Sequence, residues 1–353
     1  MRKTWSFLIP ILMLFCSCEE YYNPTIDTVE GQLVVEGMVT NDPSLNFVHL
    51  TTTSSFYDKG APKAVTGATV QLSEVNGKMI FQGVENIAGY FYFNMIPISG
   101  TNYKLRILLN NDTYESQVVT MPPLPKFTNI YTGEAQKKVY ATDGSGVPVA
   151  SVIAGRNIYA DLPVSDSLSY YRFNVRSILE WLYSPPVKDG PPPPIVNGWN
   201  SYYKNSEFNL AGPKKFSQTQ KIEMYPLLWL AYKPADFYLQ SDTLSANGWI
   251  LIIDQFGTSK ESFDYHEKLN NQFAANGSLF DPIQTQVYGN ITCITNPSKI
   301  VFGYFDMNSY QKYRYYYNMN SPDASIKLRQ IFRYPFIPDE GQIPGVPPDW
   351  WEI

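Results

Sequence analysis

Tyr103-Lys104-Leu105-Arg106-Ile107 alternates bulky apolar side chains with basic ones. Successive side chains of a β-strand point to opposite faces, so this period-two pattern predicts a strand. Tyr103, Leu105 and Ile107 are expected in a core, and the two basic side chains in water. The region around this stretch is therefore predicted to be antiparallel β structure with one buried face.

Seven short apolar runs lie between Gly31 and Val119, and turn residues separate them. Among these turns, Asn76-Gly77 is a strong hairpin signal. Seven short strands in about 90 residues favour a sandwich of two sheets. The predicted strands are residues 33–39, 47–50, 68–72, 78–81, 90–93, 103–107 and 114–118.

Composition favours a mainly β fold along the whole chain. Aromatic residues make up 15% of the 353 residues and charged residues only 17%. Long helices need Ala, Glu, Lys and Leu, whereas tyrosine, threonine, valine and phenylalanine favour strands. A chain of this length fits two domains.

The segment Met121-Pro122-Pro123-Leu124-Pro125 predicts a domain boundary, because proline cannot sit inside a central strand. We expect two antiparallel β-sandwich-type domains, at 31–121 and 126–338, and a tail at 339–353. The second domain also has one predicted helix at about 259–276, where apolar side chains recur at helical spacing. Its strands are predicted at 158–162, 170–181, 206–210, 219–225, 249–255, 286–292, 299–306 and 312–318.

The N-terminus predicts export and lipid anchoring. Arg2 and Lys3 precede an eleven-residue apolar run, residues 5–15. This run is too short for a membrane-spanning helix, which needs about 20 residues, and is typical of an export signal. Its end, Phe15-Cys16-Ser17-Cys18, resembles the lipobox of bacterial lipoproteins, with Cys18 as the lipidated residue. An ordinary cleaved signal is the alternative.

The residues after Cys18 bear on location. We expect a signal peptide at 1–17 and a tether at 18–30. Glu19 and Glu20 resemble the surface-export signal of Bacteroidota lipoproteins, and a solvated acidic tether is the alternative. The resemblance implies an outer-membrane protein that faces the cell exterior and is held by its lipid chains.

Charge and cysteine content narrow the function classes. Loss of Arg2 and Lys3 leaves 25 basic residues against 32 acidic ones, a net charge of −7. No basic run survives, which argues against a nucleic-acid partner. Removal of Cys16 and acylation of Cys18 leave Cys293 without a partner for an internal disulfide.

Four segments of the first predicted domain carry a resemblance to a known module. They are Val35-Glu36-Gly37-Met38-Val39 and residues 65–70, 89–93 and 103–105. In this order they resemble a carboxypeptidase-regulatory, transthyretin-like sandwich, and the resemblance implies a module with no catalytic residues of its own.

The lipobox, the first domain and the segments 276–282, 289–291 and 301–305 follow one another along roughly residues 18–320. As a whole, they resemble the Bacteroidota lipoprotein family catalogued as domain of unknown function 4249. The tail departs from the family pattern, because it lacks the paired cysteines of many members. The family has no established activity, so the resemblance implies fold and location only.

The sequence lacks the common catalytic and metal-binding motifs. His49 and His266 have no cysteine or histidine at metal-ligand spacing, and we interpret both as structural. There is no G-x-S-x-G elbow, P-loop or dinucleotide motif. Cys293 lies in an apolar run and is expected to be a small buried side chain. We therefore predict no cofactor, no metal and no catalytic residue.

Paired carboxylates are the alternative, because a glycosidase needs only two acids about 5 to 10 Å apart. Asp254 ends the apolar run 249–253, and Asp281 precedes a proline. Each candidate is otherwise interpreted as a turn or cap residue. The candidates are Glu180, Asp236, Asp254, Asp264, Asp281 and Asp306.

A proline segment flanked by aromatic residues is the strongest binding candidate. Residues 185–194 include four consecutive prolines, which favour an extended polyproline II path. The flanking aromatic residues form either a docking platform for another protein or part of the core. They are Trp181, Tyr183, Trp199, Tyr202 and Tyr203.

Together these observations predict a non-catalytic surface lipoprotein. The resemblance to Bacteroidota systems implies a binding or accessory component beside an outer-membrane nutrient transporter. The expected partners are the membrane, through the lipid anchor, and a TonB-dependent transporter or other surface protein. A hydrolase with paired carboxylates and a structural or adhesive surface protein are the alternatives.

The anchor prediction can be tested with two cysteine variants. Cys18→Ala is expected to move the protein from the membrane to a soluble fraction, because the lipid chains attach to that sulfur. Cys16→Ala, two residues away, serves as the control and should remain in the membrane. Cell fractionation and immunoblotting measure the distribution, and equal membrane retention of both variants would contradict the lipobox assignment.

Overall fold

The computed structural model describes residues 31–54, 60–77, 79–142, 144, 146–183, 190–191, 196–203, 208–213, 221–232, 244–274, 286–319 and 329–330. The predicted signal peptide, tether and C-terminal tail lie outside these ranges. The structural statements that follow concern the described residues.

All seven strands predicted for the first domain are confirmed, and three short strands accompany them. A 3-10 helix, Pro43–Leu45, connects the first two strands, with Asp42 as its cap. The strands are β1 (Leu33–Thr40), β2 (Phe47–Thr52), β3 (Lys63–Ala64), β4 (Thr69–Glu74), β5 (Ile80–Gln82), β6 (Val84–Ile87), β7 (Tyr90–Tyr92), β8 (Asn102–Leu109), β9 (Asp112–Ser116) and β10 (Val119–Thr120).

The alternation predicted for residues 103–107 is confirmed in β8. Tyr103, Leu105 and Ile107 on β8 are each 1% exposed. Lys104 and Arg106 lie on the opposite face, where both form ion pairs with Glu115 on β9. The alternation therefore separates a dry face from a charged face.

The second half of the chain is also mainly β. Three of its strands, β11, β14 and β20, were not predicted from the sequence. Residues 299–306 and 312–318 belong to one continuous strand, β19, rather than two. The elements are β11 (Asn129–Thr142), β12 (Pro148–Leu162), β13 (Tyr170–Tyr183), β14 (Val196–Tyr203), β15 (Asn209–Ala211), β16 (Ile222–Ala231), β17 (Leu244–Thr258), α1 (Lys260–Ala274), β18 (Ile291–Cys293), β19 (Val301–Asn318) and β20 (Arg329–Gln330).

The predicted helix is confirmed as α1. Its start is capped by Ser259, whose Oγ accepts a hydrogen bond from the backbone N–H of Ser262 at 3.1 Å. Such a cap satisfies one of the N–H groups that the first turn leaves without an intrahelical partner. The end predicted at Asn276 lies outside the described residues.

Within the described part of the chain, the strands form three sheets. Eight strands of the largest sheet follow the order β14-β13-β17-β19-β1-β2-β7-β6, while β15, β20 and β3 pair with β13, β19 and β2. The second sheet has the order β18-β9-β8-β4-β5, with β10 on β8. The third has the order β11-β12-β16. The largest sheet therefore runs through both predicted domains.

The first core lies between one half of the large sheet and the second sheet. Val35, Leu50, Leu72 and Phe91 belong to it, and so do side chains from the distant C-terminal region. These C-terminal contributors are Ile291, Cys293, Val301, Phe305 and Met307. The domain boundary stays a prediction, but residues 31–121 do not build the first core alone.

One strand pair departs from the predicted antiparallel arrangement. β1 and β19 run parallel, with Leu33 opposite Val301 and Thr40 opposite Asn308. The C-terminal half of β19 then pairs antiparallel with β17. Because β19 is eighteen residues long, it contributes to both halves of the molecule.

The second core lies between the β13–β17 region of the large sheet and the third sheet. Ile158 on β12, Tyr171 on β13, Leu227 on β16 and Leu251 on β17 are fully buried in it. Tyr315 and Tyr317 from the end of β19 pack into the same core. Both cores thus depend on the same strand.

Substitution of Gly303 tests how closely the backbones of β1 and β19 approach each other. Its φ is +88°, and a Cβ there would lie 2.0 Å from the carbonyl oxygen of Val35. Gly303→Ala is expected to lower the free energy of unfolding by about 3 kcal/mol or more, through backbone strain and this clash.

Gly77→Ala is the matched control, because Gly77 has a φ of +70° but open space around the Cβ position. It should cost only about 1 to 2 kcal/mol. Urea unfolding of both variants measures the difference, and equal losses would show that the β1–β19 approach adds no constraint.

Candidate functional site

A cleft of about 350 Å³ lies between α1 and the face of the large sheet that points away from both cores. Charged, aromatic and apolar side chains line it. They come from β1 (Glu36, Met38), β2 (Phe47), β13 (Arg172, Asn174), the residue before β15 (Phe208), α1 (Tyr265, His266, Leu269) and β19 (Tyr304, Asp306).

Arg172 lies at the inner side of the cleft. One terminal nitrogen contacts Nε2 of His266 at 3.2 Å, and the other donates to Sδ of Met38 at 3.2 Å. The guanidinium carbon lies 4.9 Å from the centre of the Phe256 ring, a cation–π contact. Burial lowers the pKa of Arg172, and the charge of Asp306 opposes this shift.

The two neighbours of His266 determine its tautomer. Its Nδ1 lies 2.8 Å from the backbone carbonyl oxygen of Ser262, to which it must donate. Nε2 is therefore free to accept from Arg172. Burial, and then the positive charge of Arg172, lower the pKa of His266 to about 4, so the imidazole is neutral near pH 7.

Asp306 is a buried acid with one unsatisfied oxygen. The residue is 4% exposed, and Oδ2 accepts a hydrogen bond from Ser262 Oγ at 2.7 Å. Oδ1 has no hydrogen-bond partner. Its charge influences Arg172, yet no ion pair within 4.0 Å joins these two described residues.

Ser262, His266 and Asp306 include the residue types of a hydrolase triad, but their geometry is different. Ser262 is 1% exposed, and its Oγ donates to Asp306 rather than to the histidine. Nδ1 of His266 already donates to a backbone carbonyl. A nucleophilic serine needs a base that can take its proton, so this trio is a structural network.

The four candidate acids that the structure describes have separate partners. Glu180 accepts from Tyr316, Asp254 accepts from Tyr310, and Asp264 pairs with Lys260 one turn away on α1. Asp236 and Asp281 lie outside the described residues. Asp306 alone of the described four lines the cleft, and the acid that shares the cleft with it is Glu36.

The predicted binding residues all lie on the β13–β14 hairpin. Trp181 stands opposite Gly198, and Trp199 opposite Glu180. Tyr202 is half-buried and packs against Trp249 of the second core, with ring centres 5.7 Å apart. This contact is the kind of packing that the alternative expects of Tyr202, and its binding role stays a prediction.

Side-chain positions of the other four predicted residues, and most of the proline segment, lie outside the described part of the chain. These residues are Trp181, Tyr183, Trp199 and Tyr203. Cys18 also lies outside it. The lipidation and loop-docking predictions therefore stay predictions.

Cys293 is 2% exposed and lies in the first core, which confirms its interpretation as a small buried side chain. In the described ranges, no three His, Cys, Asp or Glu side chains come together as a metal site. Nor does any described helix have the length and hydropathy needed to cross a bilayer.

A second cavity, of about 430 Å³, lies at the end of the first sandwich beside Gly31. Its charged residues are Asp112 and Lys299, which hydrogen-bond to each other. That bond is the main cause of the lowered pKa of Asp112, and Thr295 donates to the same carboxylate at 3.0 Å. These charges neutralise each other, whereas those of the first cleft do not form a close pair.

The β11–β12 hairpin presents an apolar surface. Among the described residues, β16 pairs with β12 only from residue 155 onwards, so within that part of the chain the distal end of the hairpin is a ribbon of two strands. Tyr140, Val149 and Val152 on this ribbon are 69%, 49% and 63% exposed. An isolated ribbon is at best marginally stable in water.

Comparison with known proteins places the chain in a family. The family model described as Domain of unknown function (DUF4249) matches residues 19–314. The chain belongs to this family. The match covers both sheets of the first sandwich, the cleft and most of β19. No curated protein and no solved structure matches the chain.

The sequence offered signals for part of the DUF4249 cleft. The sequence predicts Asp306 as a candidate paired acid and His266 as a structural residue. It does not predict Arg172, Glu36 or Tyr265 as cleft residues. A charge between Tyr171 and Phe173 in an apolar strand was the available sign for Arg172.

The neutral state of His266 predicts a pH dependence of stability. Its pKa is about 4 in the folded protein against an ordinary 6.5, so between these values the unfolded chain binds a proton that the folded chain does not. This contribution, on the order of 3 kcal/mol, is complete above pH 6.5 and is lost as the pH falls towards 4.

Urea unfolding between pH 7 and pH 4 measures the effect. His266→Gln, which stays neutral, should show a weaker loss of stability on acidification than the unmodified protein. His49→Gln removes the other histidine and shows whether the change is specific to His266. Identical pH profiles for the unmodified protein and His266→Gln would contradict the assignment.

Proposed function

We propose that this DUF4249 protein is a non-catalytic lipoprotein anchored through Cys18 to the outer membrane of a Bacteroidota cell and facing the exterior. There it binds a ligand as an accessory component beside a TonB-dependent nutrient transporter. In this proposal the first sandwich is a transthyretin-like module that supports the binding domain.

The cleft under α1 carries the proposal. It combines half-buried aromatic rings with a few charged groups, which is the usual make-up of a small-molecule site. His266 of the cleft and its neighbour Ser262 are held in a structural hydrogen-bond network, and this arrangement favours binding over acyl transfer. The exposed ribbon of β11 and β12 gives a partner protein an apolar surface to cover.

A hydrolase is the second candidate, because two acids of different environment line the cleft. Glu36 has a 66% exposed side chain, whereas Asp306 is 4% exposed. Contrasting environments are what separate an acid from a base in carboxylate enzymes. Hydrolysis of a glycan that is abolished by both Glu36→Gln and Asp306→Asn would favour this candidate over the binding protein.

Isolation of the tagged, full-length protein from native membranes tests the accessory role. We expect a TonB-dependent transporter as its main companion after extraction in mild detergent, identified by mass spectrometry. Cys18→Ala should lose this companion, because the proposed association occurs at the membrane. Asp166→Asn, which removes an exposed acid outside the cleft lining, is the control and should retain it.

Recovery of the membrane-anchored protein without any transporter would contradict the accessory role. Binding of small molecules to the purified protein is a separate measurement and does not depend on that result.

A further inference from the structure

We propose that the cleft under α1 binds a small organic cation, a molecule that carries an ammonium group on an apolar or hydroxylated body. This inference rests on the proposed binding function and specifies its ligand class. Its basis is the presence of aromatic rings and a net negative lining in one cleft of about 350 Å³. That volume lies at the small end of ordinary ligand pockets.

The lining charge is negative. Glu36 and Asp306 are acidic, and Arg172 is the one basic side chain among the described lining residues. His266 adds no charge near neutral pH, because Nδ1 donates to the carbonyl of Ser262 and Nε2 accepts from Arg172. An entering cation is therefore attracted to the cleft and an anion is repelled.

The two terminal nitrogens of Arg172 are committed to protein partners. Its terminal nitrogens contact His266 and Met38, and its guanidinium lies over the ring of Phe256. Asp306 is only 4% exposed, yet its Oδ1 has no hydrogen-bond partner. No ion pair within 4.0 Å neutralises it, so its field acts on the cleft.

Aromatic rings from four parts of the chain surround this charge. Phe47, Phe208, Tyr265 and Tyr304 are each half-buried, and the last two stack with ring centres 4.6 Å apart. A cation within about 6 Å of such a ring is attracted by the negative face of the π system.

Glu36 completes the site at its solvent-facing edge. Its side chain is 66% exposed and contacts Nδ1 of His49 at 3.4 Å, so the carboxylate stays open to a ligand. Glu36 and the ring of Tyr265 line the same cleft. Carboxylate and ring together are the groups that recognise an ammonium ion.

Three probes of nearly equal shape separate charge from size. Choline is a cation, 3,3-dimethyl-1-butanol is its neutral counterpart, and 3,3-dimethylbutanoate is an anion. Titration of the full-length protein in detergent, followed by NMR or calorimetry, gives each affinity. We expect choline to bind at least about threefold more tightly than the alcohol, and the anion to bind most weakly.

Two cleft variants and one control locate the site. Glu36→Gln should weaken choline binding about threefold and leave binding of the alcohol unchanged, because the exposed carboxylate interacts only with charge. Tyr265→Leu should weaken choline binding through loss of the ring face. Asp166→Asn removes an exposed acid outside the cleft lining and should change neither affinity.

Equal affinities for choline and the alcohol would overturn the cation assignment while leaving the cleft as a binding site. Tighter binding of the anion, no response to Glu36→Gln, or no binding of any probe would overturn it as well. The co-isolation experiment judges the accessory role independently of these outcomes.

Discussion

The pairing of β19 with both β1 and β17 is the constraint on which the rest of the structure depends. Its first half runs parallel to β1 and contributes Phe305 and Met307 to the first core. Its second half runs antiparallel to β17 and contributes Tyr315 and Tyr317 to the second. A single strand thus fixes the two halves in one continuous sheet.

The cleft follows from this continuity. Because β1, β13 and β19 belong to the same sheet, Glu36, Arg172 and Asp306 lie on one face although they are far apart in sequence. α1 covers part of that face and contributes His266. The buried polar groups there are arranged by hydrogen bonds between helix and sheet, which gives the cleft fixed walls.

Local patterns were enough to predict much of the fold. Period-two alternation identified β8, and helical spacing with a serine cap identified α1. Such signals involve neighbours in sequence, whereas the parallel pairing of Leu33 with Val301 depends on register between distant segments, which no local pattern contains. The cleft was not predicted for the same reason. Glu36 lies in an alternating strand, where a solvated side chain is expected, and its place in one cleft with Asp306 depends on the pairing of β1 with β19.

The parallel β1–β19 pair also has a consequence for biogenesis. Leu33 is synthesised long before Val301. The edge of β1 that later pairs with β19 therefore stays unpaired through most of translation. Unpaired strand edges are templates for intermolecular pairing. Because β19 is synthesised late, this edge stays open until the chain is nearly complete, and a chain truncated before β19 would keep it exposed.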